Sequence, residues 1–116
     1  MKNFMAIYIG TPDSMEKWKH LSDEEKQQRM QEGMVAWHGW MEKHSDILVE
    51  SGGPLGKTKR IDPTGISDVR NNMTGYTIIK AESHEAAAKL FEGHPHFSIF
   101  PGDSVELMEC MPIPTM

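Results

Sequence analysis

The segment 75–114 constrains the fold of this chain more than any other, because a strand, a helix, a loop and a second strand follow one another within it. Residues 75–80 (GYTIIK) are rich in β-branched and aromatic side chains, which predicts a strand. Ser83 opens an alanine-rich run, which predicts a capped helix. A His-Pro-His loop at 94–96 then leads to alternating residues at 104–111, which predict the second strand. This half of the chain is therefore expected to form a strand-helix-strand unit.

The first half of the chain predicts a matching strand and helix. Residues 3–9 (NFMAIYI) are almost continuously apolar, which favours a central strand. Ser22 and Glu25 have the spacing of a capping box, so a helix is expected to begin there. One stripe of that helix is expected to lie on the sheet, and it consists of Met30, Met34, Trp37, Met41 and His44.

The middle of the chain supplies the remaining strand. Residues 47–50 predict a strand, and the glycines of 51–56 predict that it continues with a bulge or a bend. An exposed hairpin is expected around 62–72. The complete order predicts an α+β fold of the ferredoxin-like βαββαβ type, with an antiparallel sheet and both helices on one face. Residues 1–116 are expected to form this single domain.

Composition narrows the classes of partner. The formal net charge of -5 argues against nucleic acid and anionic lipid as partners. No apolar run approaches the roughly 20 residues that a membrane helix needs. Cys110 is the one cysteine, so no disulfide can form within the chain. We therefore expect a cytoplasmic protein that binds a small molecule and neither a membrane nor nucleic acid.

The predicted sheet leaves one face without helices. A large apolar surface facing water is expected to be covered by a second subunit, so the sequence predicts a homodimer. Leu107 is expected to lie in that interface. The apolar residues expected on this face are Met5 or Ile7, Tyr76 or Ile79, Val105 and Leu107.

Six segments, taken in order, resemble the YCII-related (DGPF-type) protein family. They are residues 2–10, the helix with Trp37 and Trp40, and residues 51–56, 75–83, 93–97 and 105–107. The resemblance implies a dimeric α+β barrel, in which two ferredoxin-like subunits face their sheets together, as in muconolactone isomerases. It also implies a cleft in each subunit lined by polar residues. A few members of the family resemble catabolic enzymes that act on chlorinated or hydroxylated aromatic rings.

The family resemblance also directs attention to the first helix, where some members carry a His and Asp pair that has been proposed as catalytic. His38 and His44 lie near that region in a different register, and Asp46 is the nearest carboxylate. The Asp-Gly-Pro-Phe signature itself is absent, and residues 68–72 stand in its place.

Four polar residues are candidates for acid–base chemistry. An imidazole with an ordinary pKa of about 6.5 can give or take a proton near neutral pH, which makes His94, His96 and His38 candidate catalytic residues. Asp103 stands at the entry to the last strand, where it could orient a histidine. Each has a structural alternative: His94 and His96 also suit a loop that ends a helix, His38 suits a partly buried histidine, and Asp103 suits a turn.

Metal and cofactor sites are not expected. On an extended segment the rings of a His-x-His pair would point to opposite sides, so His94 and His96 would not share a metal ion. No phosphate-binding loop, dinucleotide fingerprint or zinc pattern occurs in the sequence. Trp37 and Trp40 suit either core packing or the stacking of an aromatic ligand.

Two functions remain open. The first is a small cofactor-free enzyme that performs proton transfer, of the isomerase, lyase or dehydrohalogenase type, on a small organic acid or an aromatic compound. The second is a non-catalytic small-ligand-binding or oligomerisation module that uses the same cleft.

Overall fold

In the computed structural model, which describes residues 1–115, four strands form one antiparallel sheet. Their order in the sheet is β2-β5-β1-β6. Two further strands, β3 and β4, form a separate two-stranded sheet. The strands are β1 (Lys2–Ile9), β2 (Leu48–Pro54), β3 (Thr58–Asp62), β4 (Gly65–Val69), β5 (Met73–Ala81) and β6 (Ser104–Glu109). The helices are α1 (Pro12–Met15), α2 (Asp23–Lys43), α3 (His84–Lys89) and α4 (Pro95–Ser98), with a 3₁₀ turn at Glu16–Trp18. The fold is therefore mixed α+β with an antiparallel sheet.

The core lies between the sheet and the helices. Alternate residues of β1 and β5 face the helices, and the register pairs Phe4 with Ile79 and Ala6 with Thr77. Phe91 and the partly buried Trp40 close this layer from the helical side. The nearly continuous apolar run of β1 is explained by its position, because it pairs with β5 on one side and with β6 on the other.

Helix α2 begins at the predicted capping box. The Ser22 hydroxyl accepts a hydrogen bond from the Glu25 N–H, and the Glu25 carboxylate accepts one from the Ser22 N–H, each at 3.1 Å. The predicted stripe is only partly correct, because Met30 and Met34 remain 52% and 49% exposed. Trp37, Met41 and His44 are partly buried, so only the second half of the stripe faces the sheet.

Among residues 1–115, no helix packs on the other face of the sheet, but the residues on that face differ in part from the prediction. Leu107 pairs with Ala6, and Val105 pairs with Tyr8, so both side chains lie on the helical face and pack against the core. The expectation that Leu107 lies in an interface is therefore wrong. Strand side chains alternate between the two faces, so the observed register of β6 differs from the predicted one by a single residue. The open face carries Met5, Ile7 and Tyr76, as predicted, together with Ile78 and Met108, whereas Ile79 lies in the core.

Strand β2 is irregular, as its glycines predict. Its register with β5 shifts twice, between Leu48 and Glu50 and again between Glu50 and Gly53. Gly52 has a φ of 68°, and a Cβ at this position would lie 1.9 Å from the carbonyl oxygen of Tyr76. Only glycine fits this close approach of two backbones. The predicted hairpin is present, but it begins earlier than predicted: β3 and β4 span 58–69 and are joined by the turn after Asp62.

Candidate functional site

A cleft of about 410 Å³ opens between α2 and the sheet. Trp37 and Met41 of α2 form one wall, and the backbone of β2 from Ser51 to Pro54 forms the opposite wall. Phe100 closes one end. Polar side chains also line the cleft, among them those of Tyr8, His38, Thr77 and His96. The cleft is thus largely apolar with a few polar groups, which is typical of a small-molecule site.

The His-Pro-His segment starts a short helix, whereas the sequence predicted a loop. His94 has an extended backbone, and Pro95 occupies the first helical position of α4, where its missing N–H is no loss. Nδ1 of His94 accepts a hydrogen bond from the backbone N–H of His96 at 3.0 Å. His94 is therefore the N-cap of α4, and Pro95 begins a helix where the sequence predicts the loop that ends one.

The ring of His94 lies in an aromatic cluster and does not line the cleft. It is 1% exposed, and its centroid lies 4.6 Å from that of Trp37, 4.9 Å from Trp40 and 5.2 Å from Tyr8. Burial lowers the pKa of His94 to about 3, with smaller contributions from His96 and His44. Because Nδ1 accepts a hydrogen bond, the proton of the neutral ring is on Nε2, which has no hydrogen-bond partner among residues 1–115.

His96 does line the cleft. Its Nε2 lies 2.8 Å from the carbonyl oxygen of Ile9, and because a carbonyl only accepts, Nε2 carries the proton. Nδ1 of the neutral ring is then the nitrogen with the free lone pair. Burial lowers the pKa of His96, against the opposing effects of the Ile9 and Ser104 backbone and of Asp103. His96 is therefore neutral at pH 7, with its tautomer fixed by the protein.

Tyr8 and Thr77 form a hydrogen-bonded pair that the sequence analysis did not identify as part of a site. The Tyr8 hydroxyl lies 2.8 Å from Thr77 Oγ1, and Thr77 donates in turn to the Ser51 carbonyl at 3.1 Å. Burial raises the pKa of Tyr8 to about 12, although the Thr77 hydrogen bond opposes this. A tyrosine in the core-facing phase of a central strand needs a buried hydrogen-bond partner for its hydroxyl. This requirement is the sequence feature that points to Tyr8 as part of a site.

The other two candidates lie farther out. His38 is exposed and stands at the mouth of the cleft. Asp103 is exposed and does not line the cleft; its Oδ2 accepts a hydrogen bond from the Thr11 hydroxyl at 3.3 Å. The structure therefore places His96 and His38 at one cleft, with His94 behind it and Asp103 outside it.

Metal ligands are not grouped anywhere in the described part of the chain. Within residues 1–115, no three His, Cys, Asp or Glu side chains are arranged to hold a metal ion. Among the same residues, no helix has both the length and the apolar character needed to cross a membrane.

Comparisons with known proteins identify the fold and no family. No family model matches the chain, and no curated protein matches it. A similar solved structure is that of the 5-chloro-2-hydroxyhydroquinone dehydrochlorinase from Burkholderia phenoliruptrix AC1100, in complex with 2,5-dihydroxybenzoquinone. The two chains share 15% sequence identity and a TM-score of 0.55, over 94% of this chain and 93% of the other. This likeness supports a mixed α+β fold of the α+β-barrel type, while the YCII resemblance stays a prediction.

Proposed function

We propose that the protein is a small cofactor-free enzyme that transfers protons on a hydroxylated aromatic ring, in a reaction of the isomerase, lyase or dehydrohalogenase type. One observation carries the proposal. His96 lines an apolar cleft as a neutral imidazole, and its bond to the Ile9 carbonyl leaves Nδ1 as a free base. A base that is neutral near pH 7 and whose orientation is fixed by a backbone hydrogen bond is suited to general base catalysis.

The chemistry follows from this nitrogen. Nδ1 takes the proton of a ring hydroxyl, the electron pair of the O–H bond becomes part of a carbonyl, and a ring carbon accepts a proton. The net result is a keto tautomer of the ring. If that carbon also bears chloride, the chloride leaves with its bonding pair while a second hydroxyl loses its proton, and HCl is lost overall. His38 at the cleft mouth is the second acid–base group in this scheme.

The cleft suits a single substituted ring. A dry apolar cavity of roughly 150 Å³ is enough to hold benzene, and this cleft has about 410 Å³. Trp37 and Met41 offer flat and polarizable surfaces to an aromatic ligand. The similar fold of a dehydrochlorinase that binds a hydroxylated quinone supports the same class of ligand.

The assembly that we propose is a dimer of ferredoxin-like subunits packed sheet against sheet, as in a dimeric α+β barrel. The antiparallel order β2-β5-β1-β6 with α2 and α3 on one face supports this unit. The centre of its open face carries Met5, Ile7, Tyr76, Ile78 and Met108, with Asn3, Lys80 and Glu106 beside them, and an apolar sheet surface of this kind is usually covered.

A non-catalytic ligand-binding module is the second candidate. The observation in its favour is that no Asp or Glu lines the described cleft, so no carboxylate stands beside His96 to orient it or to stabilise its protonated form. In this case the cleft would bind an aromatic compound through its apolar walls and leave it unchanged.

Two assays separate the candidates. The first follows chloride release from 5-chloro-2-hydroxyhydroquinone, and the second follows ring C–H exchange of hydroxyhydroquinone in D₂O by NMR. We expect wild-type protein to accelerate at least one reaction, and His96→Gln to lose that activity by about 10²-fold or more, as is typical for a general base. Glutamine retains an N–H for the Ile9 carbonyl, so the substitution removes the base and preserves the hydrogen bond.

The control is His20→Gln, which changes an exposed histidine outside the cleft. This variant is expected to keep wild-type rates. Activity that survives in His96→Gln would remove His96 from the mechanism. Tight binding of both compounds without any turnover would favour the binding module.

A further inference from the structure

The hydrogen bonds inside the cleft have a definite direction. Thr77 has one hydroxyl proton, and it is donated to the Ser51 carbonyl, which can only accept. The bond between Tyr8 and Thr77 must then use the proton of Tyr8, so the tyrosine donates and the threonine accepts. Tyr8 has no second proton to give. Its oxygen therefore offers a ligand only lone pairs.

His96 is also a hydrogen-bond acceptor towards the cleft, because its one proton is already donated. Its ring proton is donated from Nε2 to the Ile9 carbonyl, which leaves Nδ1 as an acceptor. The rings of Tyr8 and His96 are neighbours, with centroids 5.3 Å apart. Tyr8 and His96, which are 3% and 7% exposed, thus both present hydrogen-bond acceptors to the cleft.

Positive charge is absent from the described lining of the cleft. No Lys or Arg is among the residues that form its walls, and His96 is held neutral by burial. A carboxylate or phosphate in this cleft would lose its hydration and face two lone pairs. The cleft therefore disfavours anions.

We infer that the cleft selects neutral rings that donate hydrogen bonds through free hydroxyl groups, as hydroquinone does, over ring ethers and ring carboxylates. Tyr8 is the residue that determines this specificity. Thr77 makes Tyr8 an acceptor towards the ligand, because it receives the tyrosine proton. The inference rests on the cleft of the proposed function and narrows the substrate class to the reduced, protonated form of a hydroxylated ring.

The test compares three ligands by titration calorimetry: hydroquinone, 1,4-dimethoxybenzene and benzoate. The ether keeps the ring and both oxygens but has no hydroxyl proton, and benzoate keeps the ring and adds a charge. Two hydrogen bonds of ordinary net strength correspond to a preference for hydroquinone of about tenfold or more over either competitor. Equal or tighter binding of the ether or of benzoate would overturn the inference, as would no binding of hydroquinone at millimolar concentration.

Two variants test the polarity itself. Tyr8→Phe should weaken the binding of hydroquinone about three- to tenfold, because the hydrogen bond from its hydroxyl to Tyr8 is lost. The affinity for the ether should stay nearly unchanged, because the ether makes no such bond. Thr77→Val removes the group that receives the tyrosine proton, so Tyr8 becomes free to donate and the ether should gain about threefold. Valine has nearly the shape of threonine, so this gain would reflect polarity and not space. An ether affinity unchanged in Thr77→Val would contradict the assigned direction.

This experiment fails separately from the test of the proposed enzyme. Selective hydroquinone binding without any turnover would support the inference and remove the catalytic role. Turnover of a hydroxylated ring together with equal affinity for its methyl ether would support the enzyme and overturn the inference.

Discussion

Nδ1 of His94 accepts a hydrogen bond from the backbone N–H of His96, with 3.0 Å between the two nitrogens. The bond caps α4 and fixes the point from which the His96 side chain projects towards the cleft. His94 itself is enclosed by aromatic rings. Of the two histidines in the motif, one therefore positions the helix and the other reaches the cleft.

The first prediction concerns pH and His94. Its folded pKa, about 3, lies below the usual value of 6.5, so between these pH values the unfolded chain binds a proton that the folded chain does not. The free energy of unfolding therefore falls as the pH drops below about 6.5, and this histidine contributes a slope of about 1.4 kcal/mol per pH unit. Urea melts at pH 7 and pH 5 measure the loss.

The matched variant is His94→Asn, because asparagine also caps a helix and does not titrate in this range. It is expected to be less stable than wild type at pH 7, because it leaves space in the aromatic cluster, but to lose less stability between pH 7 and pH 5. Carboxylates that titrate over the same interval affect both proteins and cancel in the comparison. An identical loss in both proteins would show that His94 does not titrate on unfolding.

The fold could be predicted largely from local signals. The capping box at Ser22 and the glycines at 51–56 have local physical causes, and the structure confirms the helix start and the irregular strand that they predict. The face of β6 could not be predicted in the same way. A six-residue strand with apolar residues in both phases leaves its orientation to the neighbouring strand, and the pairing of Leu107 with Ala6 decided it.

The site could be predicted less well than the fold. His96 and His38 were candidates from residue type alone, and the structure brings both to one cleft. Tyr8 was not a candidate, because its partner Thr77 lies 69 positions away and no local pattern connects the two. The division of roles between His94 and His96 also depends on one tertiary hydrogen bond and on the aromatic rings around His94.

The second prediction separates the two tryptophans of α2. Trp40 donates its Nε1 proton to the Leu90 carbonyl at 3.0 Å and packs on Phe91, whereas Trp37 lines the cleft. Trp40→Leu should lower the free energy of unfolding by about 3 kcal/mol, since a large side chain and a hydrogen bond are lost. Trp37→Leu should lower the free energy of unfolding by about half as much, but it should weaken the binding of hydroquinone several-fold. Denaturant melts and calorimetry together measure both effects, and the reverse pattern would contradict this assignment.

The third prediction uses the two glycines inside α2. A Cβ on Gly39 would have no heavy atom within 4 Å, whereas a Cβ on Gly33 would lie 2.5 Å from the ring of Phe100. Gly39→Ala should therefore stabilise the protein by about 0.5–1 kcal/mol through helix propensity. Gly33→Ala gains the same propensity but must displace Phe100, which is packed near Trp18 and Trp37, so it should be at least about 1 kcal/mol less stable than Gly39→Ala. Thermal melts of both variants decide this, and equal stabilities would mean that Phe100 moves freely.

The fourth prediction is that a charge on the open face of the sheet breaks the proposed dimer, whereas a charge in the core unfolds the protein. Ile78 lies on the open face between core-facing Thr77 and Ile79, whereas Leu107 packs against the core. Sedimentation should show wild-type protein as a dimer and Ile78→Lys as a folded monomer, because a charge is placed where the second sheet would pack. Leu107→Lys should instead lose the folded state, because the charge enters the core, and Val35→Lys on exposed α2 should change neither property. If wild-type protein sediments as a monomer at micromolar concentration, the barrel assembly is wrong, and the open face remains uncovered in solution.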